Sequence, residues 1–434
     1  MRFLICLMLA VAGTTAYGAD PATGDWPGWR GSDRTGLSKE KGILKEWPEA
    51  GPKQLWQIKG LGTGYSTPSV SNGKIFVMGS KPTEAPPAEQ GGKKNRGGSG
   101  KEFIFALNEK DGSVAWEVEV GVTAGGYPGP RSTPTIDNGV AYAISSNGIL
   151  AAVAIDTGKI KYTVDFKKDF KGNSGGWAYT ESPLIDGDLL ICTPGATDAT
   201  IVALKKADGS VVWKASTKDL VGMKRSYGTA GYSSPIVATI AGEKQYVQFV
   251  SGGVIGVSAA DGKVRWHYDS PANGTANCST PIVRENFVFA ASAYGTGGGQ
   301  ALISKTGDDY KADEKYFIKK FQNHHGGVVL VGDYLYGTTG GSLICVDFKT
   351  GEVKWDERSV GKGSVVYVDG HLIVRGENGG IALVEANPAE YVEKGKFNQP
   401  ERSSQKAWPH PVVANGKLYI RDWDILQCYD ITKK

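Results

Sequence analysis

Short apolar runs separated by glycine-bearing polar turns recur along nearly the whole chain. One unit reads Ser/Thr, Pro, an apolar pair, a polar turn with Gly, and a second apolar run. It stands at Ser66–Val77 (STPSVSNGKIFV), Ser132–Ile144, Ser182–Ile191, Ser233–Phe249 and Ser279–Phe289, and without the proline at Gly326–Tyr336 and Gly363–Val374. The proline returns at His410–Ile420 (HPVVANGKLYI), the eighth copy. A second unit follows each first: an apolar strand, a turn ending in Gly, then a strand carrying an aromatic. Clear copies are Phe103–Trp116, Leu150–Tyr162, Ile201–Trp213, Val254–Trp266 and Leu343–Trp355, with weaker ones ending near Phe317 and Phe397. Runs this short read as strands, and the turns Asn72-Gly73, Asp111-Gly112, Asn138-Gly139, Asp208-Gly209, Asp261-Gly262 and Asn415-Gly416 are strong hairpin signals, because Asn, Asp and Gly tolerate positive φ.

Four antiparallel strands repeating about every 40–50 residues predict an all-β propeller of eight four-stranded blades. The last copy stops after Tyr429, one strand short, while an orphan strand, Lys53–Gly60, precedes the first copy. The expectation is that Trp56 and its strand complete the eighth blade and close the ring, which removes two exposed edges. The recurring rings Trp56, Trp116, Tyr162, Trp213, Trp266, Phe317 and Trp355 are expected to wedge each blade against its neighbour. The propeller is thus expected to span residues 53–434, after an N-terminal extension over 19–52. The stretch 82–100, rich in Pro, Gly and charge, is expected to be a disordered insertion between the second and third strands of the first blade.

Composition fits this pattern: 61 glycines supply turns and 4 methionines leave little long helix. Residues 1–18 read as a cleaved secretory signal. Arg2 gives the positive start, Phe3–Ala12 is an apolar core too short to span a bilayer, and Ala16 and Gly18 are small residues at the cut. A periplasmic or secreted chain is expected, with no transmembrane segment and, since no cysteine follows the apolar run, no lipid anchor; a monomer is the expected state. Loss of Arg2 takes the net charge from +4 to +3, too weak to point to nucleic acid. Cys192, Cys278, Cys345 and Cys428 lie in different repeats, so small buried thiols are expected rather than bridges.

In such a ring the loops before each first strand, and those joining second to third strands, converge on one face around the central channel. The residues they carry there are the candidate site: Arg131, Trp177, Tyr179, Glu181, Tyr232, Asn273, Asn277, His324, His325, Lys362, Trp408 and His410. The four aromatics could stack on a planar ligand or plug the channel. Imidazoles could bind a metal or move protons; since adjacent side chains point apart, hydrogen bonds to neighbouring blades are the plainer expectation. Glu181 could act as a base or hold Ca²⁺, or pair with Arg131 between adjacent blades. Asn273 and Asn277 could supply amide oxygens or serve only as turn residues.

The outer-strand sequences Asp156–Tyr162 (DTGKIKY) and Lys349–Trp355 (KTGEVKW) resemble the tryptophan-docking repeat of the pyrroloquinoline-quinone (PQQ) propellers. The opening Trp26–Gly36 (WPGWRGSDRTG) is similar to the segment preceding the propeller in secreted members. The resemblance implies the eight-bladed fold and allows two kinds of function. One is a ligand-binding or protein-interaction scaffold, as in BamB-type propellers, presenting its top face to a small molecule or protein. The other is a quinoprotein alcohol dehydrogenase, with Glu181, Asn277 and Arg131 around PQQ and Ca²⁺. The dehydrogenases' paired adjacent cysteines and long loops have no counterpart here, so the scaffold is the preferred expectation.

Overall fold

The structure, a computed structural model, describes residues 24–83, 100–127 and 129–433. Its strands form eight antiparallel four-stranded sheets, the seventh extended by a short fifth strand from the N-terminal segment. The asparagine–glycine turns do what their chemistry allows. Asn72 and Gly73 both take positive φ (53° and 68°) between the strands Ser69–Ser71 and Lys74–Pro82, the backbone twist that a tight hairpin needs. Ring closure is as the orphan strand predicts. Lys53–Ile58 pairs antiparallel with Ile425–Asp430, Trp56 facing Cys428 and Gln57 facing Gln427.

The recurring aromatics lock neighbouring blades. Trp116 donates its Nε1–H to the Ile155 carbonyl of the next blade at 2.8 Å, and its ring covers Gly158, whose φ is +70°. The same contact recurs from Trp56 to Glu109 O, Tyr162 to Lys206 O, Trp213 to Ala259 O and Trp355 to Asn387 O. Two rings depart from the expectation. In the fifth blade the docking residue is Tyr316, not Phe317: a register shift in the hairpin turns Tyr316 toward the Phe348 carbonyl, 3.0 Å away. Trp266 stays in its own blade and donates to Gln245 Oε1 at 2.8 Å. The blade beside it carries two ten-residue strands, Gly297–Thr306 and Asp309–Ile318, so its turn lies away from the level where a glycine could receive the ring.

Valine, isoleucine, leucine and alanine of the second and third strands fill the space between blades, as where Tyr336 and Cys345 meet Val365 and Leu372. Cys192, Cys345 and Cys428 are buried in these layers, Cys278 less so, and all four are free thiols. Pro82 and Gly100, the ends of the expected insertion, pair as strand ends; residues 84–99 lie outside the described residues, as does the leader-like 1–18. No helix among the described residues is long and apolar enough to cross a membrane.

Residues 24–52 form a strap beneath the ring. Trp26 exchanges two 2.8 Å backbone bonds with Val70, Leu37–Ser38 runs parallel to Tyr367–Val368, and Leu44 N–H donates to Ile431 O. Midway, Arg30 and Arg34 enter the channel. Arg34 donates from Nη1 to the Ser182 and Pro235 carbonyls, each at 3.0 Å, and from Nη2 to the Pro183 carbonyl. Arg30 donates to Val328 O across the ring. Burial lowers both guanidinium pKa values to about 10, which leaves them charged at neutral pH.

Candidate functional site

Above these arginines the channel opens into a cavity of about 350 Å³. Trp29 of the strap is its floor: the indole packs on His410 with ring centroids 4.5 Å apart and donates to Thr280 Oγ1 at 2.9 Å. The walls come from the loops leading into the first strands. Tyr65 packs on Trp408 at 4.5 Å, and Tyr127 bridges Trp408 and Trp177 at 5.3 and 5.2 Å. Backbone strain places part of this wall. Ala178 takes φ 68°, so Trp177 faces the cavity while Tyr179 turns into the core and donates to the Pro194 carbonyl at 2.9 Å. Strained non-glycine residues are costly and gather where a side chain must be aimed.

Three cations and one carboxylate line the cavity. Arg131 lies over the rings of Tyr65 and Trp408, at 5.3 and 5.8 Å, and donates to the Trp177 and Tyr127 carbonyls, each at 3.1 Å. It forms no ion pair among the described residues. Two of its five N–H donors are used by these bonds, and the rest are free to meet a ligand. Glu377 accepts from Lys362, with Lys406 at 3.4 Å and His325 Nε2 at 3.7 Å. Burial works against its ionisation, but the two lysines outweigh that and hold its pKa below the ordinary value.

The three histidines differ in state. His410 Nε2 lies 2.9 Å from the His325 carbonyl and must donate to it; burial lowers its pKa to about 3, so the ring is neutral. Burial and the neighbouring positive groups push His325 well below its usual value, and neither of its ring nitrogens has a hydrogen-bond partner among the described residues. His324 donates to or accepts from the Tyr294 hydroxyl at 2.8 Å.

Of the residues expected to converge, Arg131, Trp177, Tyr232, His324, His325, Lys362, Trp408 and His410 share this cavity. Glu181, Tyr179, Asn273 and Asn277 do not line it. Glu181 is buried between blades, where Oε1 accepts from Thr193 N–H at 3.0 Å and Oε2 from Gln248 at 3.1 Å. Asn277 holds the chain around it, accepting from Asn273 N–H and donating to the Val250 and Ser251 carbonyls. Asn273 caps its own turn through Thr275 and Ala276. No Arg131–Glu181 pair forms; Arg131 spends its bonds on carbonyls instead. Tyr294 and Glu377 were within reach of the sequence, because both lie in loops joining second to third strands. Trp29 carried no such signal.

The sequence model of one family, described as "Outer membrane protein assembly factor BamB", matches residues 100–357, more than half of the chain. The chain belongs to this family. The Outer membrane protein assembly factor BamB of Yersinia pestis is 24% identical over 199 residues, covering 45% of this chain and 44% of its own, so the chain spans less than half the length of that curated relative. Two solved structures share the fold. BamB from Moraxella catarrhalis is similar at a TM-score of 0.58 and 15% identity, over 87% of this chain and 99% of that one. The quinohemoprotein alcohol dehydrogenase of Comamonas testosteroni is similar at 0.62 and 12%, over 96% and 82%.

Calcium does not fit the cavity of this PQQ-like propeller. A calcium site needs six to eight oxygen ligands. Here the one lining carboxylate lies between two ammonium groups, while Glu181 and Asn277 are committed elsewhere. No group of three His, Cys, Asp or Glu side chains among the described residues could hold a metal. The buried Glu181 has a different consequence. Burial, only partly opposed by Thr193, Arg34 and Gln248, pushes its pKa up to about 8. A raised carboxyl favours the folded state below the unfolded pKa, and that contribution is lost as pH rises through 8. Glu181→Gln should therefore gain on the parent by on the order of 4 kcal/mol between pH 5 and pH 8.5. Urea unfolding of both proteins at each pH measures the difference; a difference independent of pH would show that the carboxyl is ionised throughout.

Proposed function

We propose that the chain is a non-redox binding propeller whose top-face cavity holds a small cyclic carboxylate. The observation that carries this reading is Arg131: a cation lying over the stacked pair Tyr65 and Trp408, opening on the cavity, with no ion pair among the described residues. A ring lying along Tyr127, Trp177 and Trp408 would bring its carboxylate to the free N–H groups of Arg131, a charge-assisted contact of the stronger kind. The neutral, unpartnered His325 could donate at one nitrogen and accept at the other, which suits a hydroxyl or ring carbonyl. Paired carboxylates for glycoside chemistry are not among the lining residues. We place the protein outside the cytoplasm, exported by the leader-like residues 1–18, with the mature chain starting after Gly18.

Calorimetric titration of the mature chain with glucuronate, 2-naphthoate and PQQ, each with and without Ca²⁺, tests the reading. Calcium-independent binding of at least one of these, with the corresponding neutral compound bound far more weakly, is the expected result. Arg131→Ala and Trp408→Ala should each weaken it about tenfold. Binding of PQQ that requires Ca²⁺ would replace this reading with the quinoprotein dehydrogenase, and no binding of any at millimolar concentration would end both.

A further inference from the structure

The strap occupies one face of the ring and leaves the other open. On that open face two neighbouring loops, residues 166–178 and 216–231, are tied together where Ala230 N–H donates to Asn173 O at 2.8 Å. They carry six exposed cations, Lys167, Lys168, Lys171, Lys218, Lys224 and Arg225, against the acids Asp169 and Asp219. None of the six is in an ion pair among the described residues, although the fold elsewhere pairs many of its lysines. Between Lys218 and Lys224 the second loop lifts an apolar tip into solvent: Val221 is 83% exposed and Met223 37%.

The tip is held out rather than left loose. His267 reaches the Val221 carbonyl from Nε2 at 3.0 Å and Asp269 from Nδ1 at 2.7 Å. Lys224 N–H donates to Asp269 Oδ2 at 2.7 Å, Tyr227 donates to the same carboxylate, and Leu220 packs on the core between the third and fourth blades. A valine fixed in the open, flanked by unpaired cations, spends backbone order to keep an apolar group in water.

We propose that this face docks on an anionic lipid surface, with Val221 and Met223 entering the headgroup layer and the six cations at headgroup level. Charge complementarity selects an anionic partner. The apolar tip selects lipid over an acidic protein, because a bilayer interface receives a projecting side chain without a matching pocket. The proposal stands on these loops and is independent of the cavity's ligand.

Co-sedimentation of the mature chain with phosphatidylcholine vesicles, with and without phosphatidylglycerol, tests it. Binding should require phosphatidylglycerol and fall as salt is raised. Lys218→Glu/Lys224→Glu/Arg225→Glu should weaken it on the order of a hundredfold, and Val221→Ser about tenfold with the charge unchanged. All four residues are exposed, so unfolding midpoints should match the parent. Equal binding to both vesicles, no binding, or a triple variant that binds like the parent would overturn the proposal. Binding to soluble polyglutamate without binding to vesicles would assign the face to an acidic protein and overturn it as well.

Discussion

Arg34→Met should lower the stability of the folded chain by about 3–5 kcal/mol, read as a fall in the urea midpoint. Methionine nearly fills the guanidinium's space but offers no donor. The carbonyls of Ser182 and Pro235 would then face the channel unpaired, while Pro183 O would keep only its bond from Thr135, and each buried orphan costs about 1–3 kcal/mol. Part of that loss is offset, because methionine no longer desolvates a charge. Arg34→Lys should recover a fraction, since a single ammonium cannot reach three carbonyls from two blades. A loss under about 1 kcal/mol would mean that water replaces the guanidinium freely and that the strap only lines the channel. The same substitution should weaken ligand binding, because Trp29, five residues earlier on the strap, is the cavity floor.

The blades and their closure were legible because each repeat prints its own strands and turns locally. The period sets the blade number, and the unpaired Lys53–Gly60 segment answers the missing strand after Tyr429. The strap was not legible. Its residues have no period, and its partners, from Val70 to Ile431, are distant in sequence. Nothing in the segment around Arg30 and Arg34 announces that two arginines turn inward.

The site was half legible for a related reason. Topology says which loops reach the channel mouth, so Arg131, Trp177, Tyr232, His325, Trp408 and His410 follow from blade counting alone. Direction within a loop is another matter. Trp177 and Tyr179 lie two apart, and only the positive φ of Ala178 decides which faces the cavity. Glu181 and Glu377 illustrate the converse. Glu181, next to a first-strand start, is drawn between blades by Thr193 and Gln248, whereas Glu377 stays at the cavity wall because Lys362 and Lys406 hold it there. One acid is kept near neutral by burial and the other ionised by its partners, although both sit in channel-facing loops.

Trp116→Ala should cost about 2–3 kcal/mol, below the range for truncating a fully buried ring because the indole is only partly covered. The indole spans the first two blades, and its removal leaves Gly158 uncovered and Ile155 O without its donor. Gly158→Ala should cost less but still substantially. A Cβ there would lie 3.0 Å from Trp116 Cδ2, and at φ +70° any side chain adds strain of about 1 kcal/mol. The pair should be non-additive. Once the indole is gone the new methyl has room, so Gly158→Ala in the Trp116→Ala background should retain only the backbone strain. A double-mutant cycle should therefore show at least about 1 kcal/mol of coupling. Trp266→Ala with Gly158→Ala gives the contrast: Trp266 bonds within its own blade, and that pair should simply add. Additivity in both cycles would mean that the repeating rings pack only their own sheets and that the ring is held shut elsewhere.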